Sequence, residues 1–361
     1  MSFSLSLYPW VYCASYKEDG SWTETYTEKP HKTPQEEALM SPQDYQALLM
    51  KRNSFPELPL VNYTTQYGMG CFEGLKAFPQ KDGSLKLFRP GRNATRMHNS
   101  MKGLMMPGYP ENLFVEAARS VIRKNQDLGF RPQYNSSWEK DHFVEGSSIY
   151  LRPFTYSEPA IGLGISKAPW VIMIATPVSS YFTSRSSKAI TTNKVRATPH
   201  GSGWIKCDAN YVVPTLAKKE AEAQGYMEAI FLDSLEGKYL EEGSSCNLFV
   251  LMKDGTLTTP VLGDTILPGI TRESILTLAK DMGIPTSERR ITIDEALDQG
   301  QEVFVTGTAA GVSFLESITH KGRTAVFNQG KMGPVTTELL RTLKGIQFGA
   351  LPDKYGWMTS V

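Results

Sequence analysis

The apolar pattern of this chain switches repeatedly between a period of two and a period near 3.6, without settling into a regular strand-helix alternation. A doubly wound parallel sheet demands that alternation, so the pattern points to two α+β-type domains instead. The signals sharpen from Tyr67 onward. A turn, YGMGCFEGLKAF, leads into a hairpin centred on Lys81-Asp82-Gly83, since Asp-Gly between apolar alternations is a strong turn signal. SLKLFRP reads as its second strand, and Pro90 fits a helix start. Ala94, Met97, Met101, Leu104 and Met105 then recur at helical spacing. A second helix, PENLFVEAARSVIRKNQDLGF, opens on Pro110 and Glu111 and closes near Gly129. IYLRPFTY and PWVIMIATPV read as strands.

The Ser- and Thr-rich stretch from Pro177 to Lys194 reads as an interdomain connection. The expected division is an N-terminal domain over 1–178, a connecting loop over 179–194 and a C-terminal domain over 195–361. In the second domain a helix, VVPTLAKKEAEAQ, stops at Gly225. Strands follow at AIFLD, KYLE, CNLFVLM and TLTTP, with tight turns at Glu236-Gly237 and Asp254-Gly255. Pro268-Gly269 opens the helix ITRESILTLAKDMG, and Thr292 with Glu295 makes a capping box for the next helix. EVFVTGT is a buried strand entering a Gly-Thr-Ala-Ala-Gly loop. Before Tyr67 the pattern is uneven, and the Pro-, Gln- and charge-rich run from Lys29 to Asn53 includes surface loop.

With 361 residues the chain can bury a large core. Net charge is +1 with no run of Lys or Arg, which argues against a nucleic-acid surface. No stretch approaches the roughly 18 apolar residues of a membrane helix. The N-terminus lacks a basic front end and reads as a strand rather than a signal peptide. Cys13, Cys71, Cys207 and Cys246 are scattered with no C-x-x-C, and the five histidines show no metal spacing. Neither a disulfide framework nor a zinc site is expected, and a reducing cytoplasm is the default.

The segments GWIKCDANY and EEGSSCNLF hold the residues best placed for chemistry. A lysine is ordinarily a solvated surface charge. Lys206 instead lies between a glycine-rich approach (His200-Gly201-Ser202-Gly203) and a helix start, beside Trp204, Ile205 and Cys207. Partial desolvation turns such an amine into a usable nucleophile. Glu242 sits in a small-residue turn beside Glu241, where a solvated hairpin glutamate is the plain alternative, and Asn247 is either a turn former or the head of an apolar strand. In LPGITR, residues 267 to 272, the amides of Ile270 and Thr271 open a helix and suit a phosphate, though many helices begin so without a ligand. TGTAAG, residues 306 to 311, offers amides and hydroxyls after a buried strand. Arg96 is either a surface arginine or a bidentate phosphate ligand. Tyr67, Phe72, Tyr150, Arg152, Tyr181 and Tyr211 stand at strand ends and loops, where they serve either a core or a pocket wall.

Taken in order, these segments resemble the class IV pyridoxal-phosphate aminotransferases, above all the longer, branched-chain type. The resemblance runs from about Leu60 to the C-terminus through YGMGCFEGLKAF, LFRPGRNATR, YLRP, KCDANY, E-x-S-x-x-N-L-F, ILPGITR, GTAAG and a terminal IQFG ending in WM. The first sixty residues match poorly. The resemblance implies a two-domain fold-type IV enzyme of mixed α/β class, with a smaller N-terminal α/β domain, a larger β-rich C-terminal α/β domain and pyridoxal 5'-phosphate at their interface. Lys206 would form the Schiff base and move the proton at substrate Cα. Glu242 would pair with the pyridinium nitrogen, and Tyr211 would bond the cofactor's phenolic oxygen. Arg96, Ile270, Thr271 and Thr308 would hold the phosphate. Ser245, Thr308 and Ala309 fall where the family contacts cofactor or substrate carboxylate, and Asn247 belongs to the cofactor set.

The same resemblance gives Tyr67, Phe72, Tyr150 and Tyr181 to an apolar side-chain pocket, and Arg152 to the second carboxylate of glutamate or 2-oxoglutarate. It implies reversible ping-pong transfer from L-leucine, L-isoleucine or L-valine to 2-oxoglutarate. It also implies a cytoplasmic homodimer, in which the loop near Ile161 to Ile165 reaches the partner's site, with no metal, membrane or nucleic-acid partner. Two departures stand out. The mammalian members carry a C-x-x-C pair where this chain has Ala310 and Ser313, and the position usually holding threonine is Ser245. The alternatives are a D-amino-acid or (R)-amine aminotransferase, an aminodeoxychorismate-lyase-like enzyme, or a silent scaffold. The YLRP arginine and the C-terminal extension favour the branched-chain type. The presence of Lys206, Glu242, Tyr211 and Arg96 together argues against a silent scaffold.

Overall fold

The computed structural model describes residues 6–54, 58–179 and 187–361. The chain divides into two compact units: Met1–Ser180 with Cys207–Ala209 and Ile346–Val361, and Tyr181–Lys206 with Asn210–Gly345. The expected division assigned the whole C-terminal stretch to the second domain and made that domain the larger. Here Ile346–Val361 joins the first unit, which thereby becomes the larger one. The cause is backbone pairing, because the C-terminal strand Met358–Ser360 hydrogen-bonds to a strand of the first unit.

In the first unit the described elements are β1 (Trp10–Tyr16), β2 (Trp22–Glu28), α1 (Pro34–Ala38), α2 (Pro42–Arg52), α3 (Tyr63–Tyr67), β3 (Leu75–Pro79), β4 (Leu85–Phe88), α4 (Pro90–Gly103), α5 (Glu111–Asp127), β5 (Ser148–Tyr156) and β6 (Trp170–Val178). They form an antiparallel seven-stranded sheet in the order C-terminal strand, β4, β3, β5, β6, β1, β2. The β3–β4 hairpin turns through Gly83, whose φ of +81° a glycine adopts without strain. Phe114, Ala117, Ala118, Val121, Ile122 and Asn125 form the buried stripe of α5, and this helix packs on β1 and β6. Asn125 Oδ1 accepts from the amide of Trp10 at 3.0 Å, which fixes where β1 starts.

The Lys29–Asn53 run includes the expected surface loop at 29–33, and beyond it folds into α1 and α2, which the sequence pattern did not mark. Thr33 closes a capping box with Glu36, and the Ser41 hydroxyl accepts from the Asp44 amide, each cap followed by a proline that fits the first turn. Buried Arg52 ties the pair down by an ion pair with Glu37 and by bonds to the carbonyls of Leu7 (2.8 Å) and Pro30 (2.9 Å).

The second unit contains β7 (Lys188–Thr191), α6 (Val212–Ala223), β8 (Glu228–Leu232), β9 (Leu240–Gly243), β10 (Asn247–Met252), β11 (Leu257–Thr259), α7 (Ile270–Asp281), β12 (Thr286–Glu288), α8 (Ile293–Gln299), β13 (Gly300–Gly307), β14 (Gly311–Leu315), β15 (Ser317–His320) and β16 (Arg323–Val326). The long helix α9 (Pro334–Gln347) follows. The ten-stranded sheet runs β12, β11, β10, β9, β8, β7, β15, β16, with β13 bonded to β10 and β14 to β13. Parallel pairs (β7 with β8 and β15, β11 with β12) mix with antiparallel ones. Strands β8, β9 and β10 are buried on both faces, around a core that includes Ile230, Leu248, Val250, Val303, Val305 and Ile318.

Thr292 Oγ1 caps α8 by accepting from the Glu295 amide at 3.0 Å, the Thr292 amide bonds the Glu295 carboxylate in return, and Arg289 pairs with that carboxylate as well. The Thr308–Ala310 stretch is the turn of the hairpin between β13 and β14.

Candidate active site

Lys206 closes a loop that the second unit holds tightly. The Asn210 amide group donates to the carbonyls of Ser202 (2.6 Å) and Ile205 (2.9 Å), and Ser202 Oγ donates back to Asn210 Oδ1 at 3.0 Å. Glycine is required at position 203, since a Cβ there would lie 2.6 Å from the Asp264 carbonyl and 2.7 Å from Thr265 Cα. The half-buried Lys206 Nζ donates to Tyr211 Oη at 2.8 Å.

Glu242 is a carboxylate of this unit with three polar partners. It lies on β9 directly opposite Asn247 of β10, so the five-residue spacing seen in the sequence is a cross-strand pair. Its side chain is buried, which settles against the solvated-hairpin alternative. Oε1 accepts from the Leu267 amide at 3.2 Å and lies 2.8 Å from Arg196 Nη1, while Oε2 accepts from Asn247 Nδ2 at 3.2 Å. Burial pushes its pKa up to about 7, against the opposing pull of Arg196, the Leu267 amide and the Lys206 charge. Neighbouring Glu241 faces the opposite side of the strand and is also raised by burial.

The start of α7 is tied to this carboxylate. Asn247 Nδ2 also donates to the Leu267 carbonyl at 3.0 Å, and Gly269 packs so tightly on Asn247 that a Cβ would overlap Oδ1. Gly269 occupies the cap position of α7 and brings no capping side chain, so Ile270 and Thr271 open the helix at the end where an anion is favoured. Across β10, Asn247 pairs with Thr306 of β13, and the backbone of Ser245 lies against Gly307. The second unit therefore brings together Glu242, Asn247, Ser245, the α7 amides and the turn bearing half-buried Thr308 and Ala309, while Lys206 and Tyr211 form the adjoining pair. Ser245 itself is exposed, and Ser244 Oγ and Thr306 Oγ1 are buried without a hydrogen-bond partner among the described residues.

Arg96, Tyr67, Phe72, Tyr150 and Arg152 belong to the first unit. Arg96 grips buried Glu73 in a two-point contact, Nε to Oε1 at 2.6 Å and Nη2 to Oε2 at 2.9 Å. Arg152 lies between aromatic faces, its guanidinium carbon 4.6 Å from the Phe72 ring centre and 5.3 Å from that of Tyr150. Its Nη2 donates to Tyr150 Oη at 3.0 Å. Tyr150 needs the glycine at 74, where a Cβ would overlap its hydroxyl. Tyr67 ends α3 and is largely exposed. Tyr181 lies outside the described residues.

A family model described as Amino-transferase class IV matches residues 70–318. The chain belongs to the class IV aminotransferases. Branched-chain amino acid aminotransferase 2, chloroplastic, of Humulus lupulus is 38% identical over 296 residues, covering 81% of this chain and 69% of that protein. A probable branched-chain-amino-acid aminotransferase of Staphylococcus epidermidis is 38% identical over 305 residues, covering 82% and 81%. Among solved structures, the Escherichia coli branched-chain amino acid aminotransferase superposes with a TM-score of 0.71 at 29% identity, covering 84% of this chain and 93% of that one. The T.th. branched-chain enzyme complexed with N-(5'-phosphopyridoxyl)-L-glutamate gives 0.68 at 31%, with the same coverage. This class IV aminotransferase thus has the mixed α/β fold-type IV architecture.

Sequence reasoning missed Arg196 and gave no role to Asn210 or Gly203. Arg196 stands ten residues ahead of Lys206 and reaches Glu242 only through the folded loop. Asn210 and Gly203 shape that loop, and only the Lys206 segment itself marked their neighbourhood. Among the described residues no helix is long and apolar enough to cross a membrane, and no cluster of His, Cys, Asp or Glu is placed to hold a metal ion.

Proposed function

We propose that this class IV aminotransferase is a branched-chain-amino-acid aminotransferase. It uses pyridoxal 5'-phosphate to move the amino group of L-leucine, L-isoleucine or L-valine reversibly to 2-oxoglutarate. The observation that supports this most is the Lys206–Tyr211 pair together with buried Glu242, in a chain 38% identical to relatives bearing that name. The donor set suits the cofactor: an amine, a phenol, a buried carboxylate with its own cation, and a glycine-led helix start linked to that carboxylate.

When bound, the cofactor supplies an electron-poor ring that makes the substrate Cα–H acidic. Lys206 holds and returns the Cα proton, with Tyr211 fixing the direction of its amine. Glu242 would keep a proton on the ring nitrogen, and Arg196 and the Leu267 amide favour its anionic form against the effect of burial. The Ile270 and Thr271 amides and Thr308 are assigned to the phosphate, as is Arg96 in the first unit. Ser245 and Ala309 are assigned to cofactor and substrate carboxylate. Phe72, Tyr150 and Tyr67 are assigned to the substrate's alkyl group, and Arg152 to the second carboxylate of the acceptor.

A cytoplasmic homodimer completes the proposal. All four cysteines are buried thiols, which suits a reducing compartment. Leu60, Val61, Ile161 and Leu163 are exposed on adjoining segments, joined by a bond from the Ala160 amide to the Val61 carbonyl at 3.1 Å. An apolar patch of this kind suits a subunit contact.

The test is amino transfer followed as glutamate formed from 2-oxoglutarate. Turnover with the three branched L-amino acids supports the proposal. Turnover confined to a D-amino acid replaces it, and a monomer by light scattering removes the dimer.

A further inference from the structure

We propose that Asp208 is a positioning residue for the acceptor half of the reaction, partly neutralising Arg152 and, on protonation, releasing that charge for a substrate's second carboxylate. The inference rests on the role assigned to Arg152 above.

The first unit builds this arrangement from three stretches of chain. Residues 71–73 are bonded to β5, with the Thr155 amide donating to the Cys71 carbonyl at 2.8 Å and the Glu73 amide to the Pro153 carbonyl at 2.7 Å. The same stretch pairs with 207–208: Cys71 lies opposite Cys207 in an antiparallel bridge, and the Asp208 amide donates to the Gly70 carbonyl at 2.9 Å. The Asp208 carboxylate occupies the space that a side chain at position 70 would need, since a Cβ there would overlap Oδ2. Gly70 therefore makes the room that half-buried Asp208 occupies.

Arg152 has no carboxylate within 4 Å among the described residues, and its buried Nε has no hydrogen-bond partner there. Its guanidinium is fixed by two rings and one phenol, none of which offsets its charge. Asp208 interacts electrostatically with Arg152 and with the Cys71 thiol, itself pushed up by burial. Burial raises Asp208 to about 6, outweighing the pull of Arg152. A carboxylate that changes charge near neutrality thus acts on an arginine that lacks a close counter-ion.

The same pocket has to accept an alkyl group and a carboxylate in turn. With Asp208 ionised, the arginine is partly compensated and an apolar side chain is tolerated. An arriving second carboxylate displaces that compensation and raises Asp208's hold on a proton, so dicarboxylate binding takes up a proton. Affinity is then highest below the free-protein value near 6 and falls as pH rises above it.

The experiment is calorimetric titration of the cofactor-loaded enzyme with two unreactive acids, glutarate and 4-methylpentanoate, between about pH 6 and about pH 8. Wild type is expected to lose glutarate affinity across that interval. D208N should bind glutarate about five- to tenfold more tightly at the upper end, with the pH dependence gone and 4-methylpentanoate little changed. D208A provides the same reading if D208N does not fold. Unchanged glutarate binding in both variants, or equal shifts for both acids, overturns the role of Asp208. Unimpaired glutarate binding in R152Q instead overturns the assignment of Arg152 on which it rests.

Discussion

Arg196 Nη1 lies 2.8 Å from Glu242 Oε1, with the two side chains only 5% and 4% exposed. A lone carboxylate at that depth would stay protonated near neutral pH. The guanidinium and the Leu267 amide oppose the effect of burial, leaving Glu242 balanced at about 7. A ring-nitrogen partner has to be an anion, so Arg196 is the residue that lets Glu242 serve.

Replacing Arg196 by Gln should therefore act twice. Breaking a buried ion pair typically costs about 3–5 kcal/mol, so the melting temperature should fall clearly. Without the cation, Glu242 protonates above 7 and the acid limb of the pH–rate profile should move to higher pH. Scanning calorimetry and a pH series check both; an unmoved acid limb would count against the role of Arg196.

Glu242→Gln should lower kcat more than it changes KM, because an amide cannot hold the ring proton through the charged transition state. Steady-state kinetics with L-leucine decide it, and an unchanged maximal rate removes Glu242 from the assignment.

Lys206→Ala should abolish turnover while leaving circular dichroism and thermal stability close to wild type, since the side chain is half-buried and its bond to Tyr211 joins neighbouring stretches of one loop. Full transamination by that variant would sink the catalytic reading.

Gly269→Ala should push Asn247 off the carboxylate it supports, because the added Cβ would overlap the Asn247 side chain. Crowding of this kind costs about 1–3 kcal/mol. Cofactor affinity, measured by fluorescence titration, should weaken alongside; wild-type affinity would show that the α7 start and Glu242 are not coupled.

What the sequence made legible was local. Asp82-Gly83, Pro90 and Gly225 set turns and helix ends through their own backbone preferences, and each stands where expected. Thr33 and Ser41 carried equally local signals, but the charged composition of Lys29–Asn53 obscured two helices that buried Arg52 anchors. The Thr292–Glu295 cap follows from its spacing, while Arg289, which no local rule includes, pairs with the same glutamate. The depth of Glu242 follows from strands on both sides of β9, and Arg196 meets it through a loop closure that spacing does not encode. The pairing of the C-terminal strand with β4 joins residues far apart in sequence, which is why the division into units was misplaced at that end.

The central claim is tested most directly by the absorbance spectrum of the purified, cofactor-supplied protein before and after adding L-leucine without a keto acid. The account predicts a visible band from cofactor held on Lys206, shifting on addition of L-leucine to that of the aminated cofactor and returning when 2-oxoglutarate is added. A protein that shows no band after cofactor is supplied, or a band indifferent to L-leucine, would contradict it.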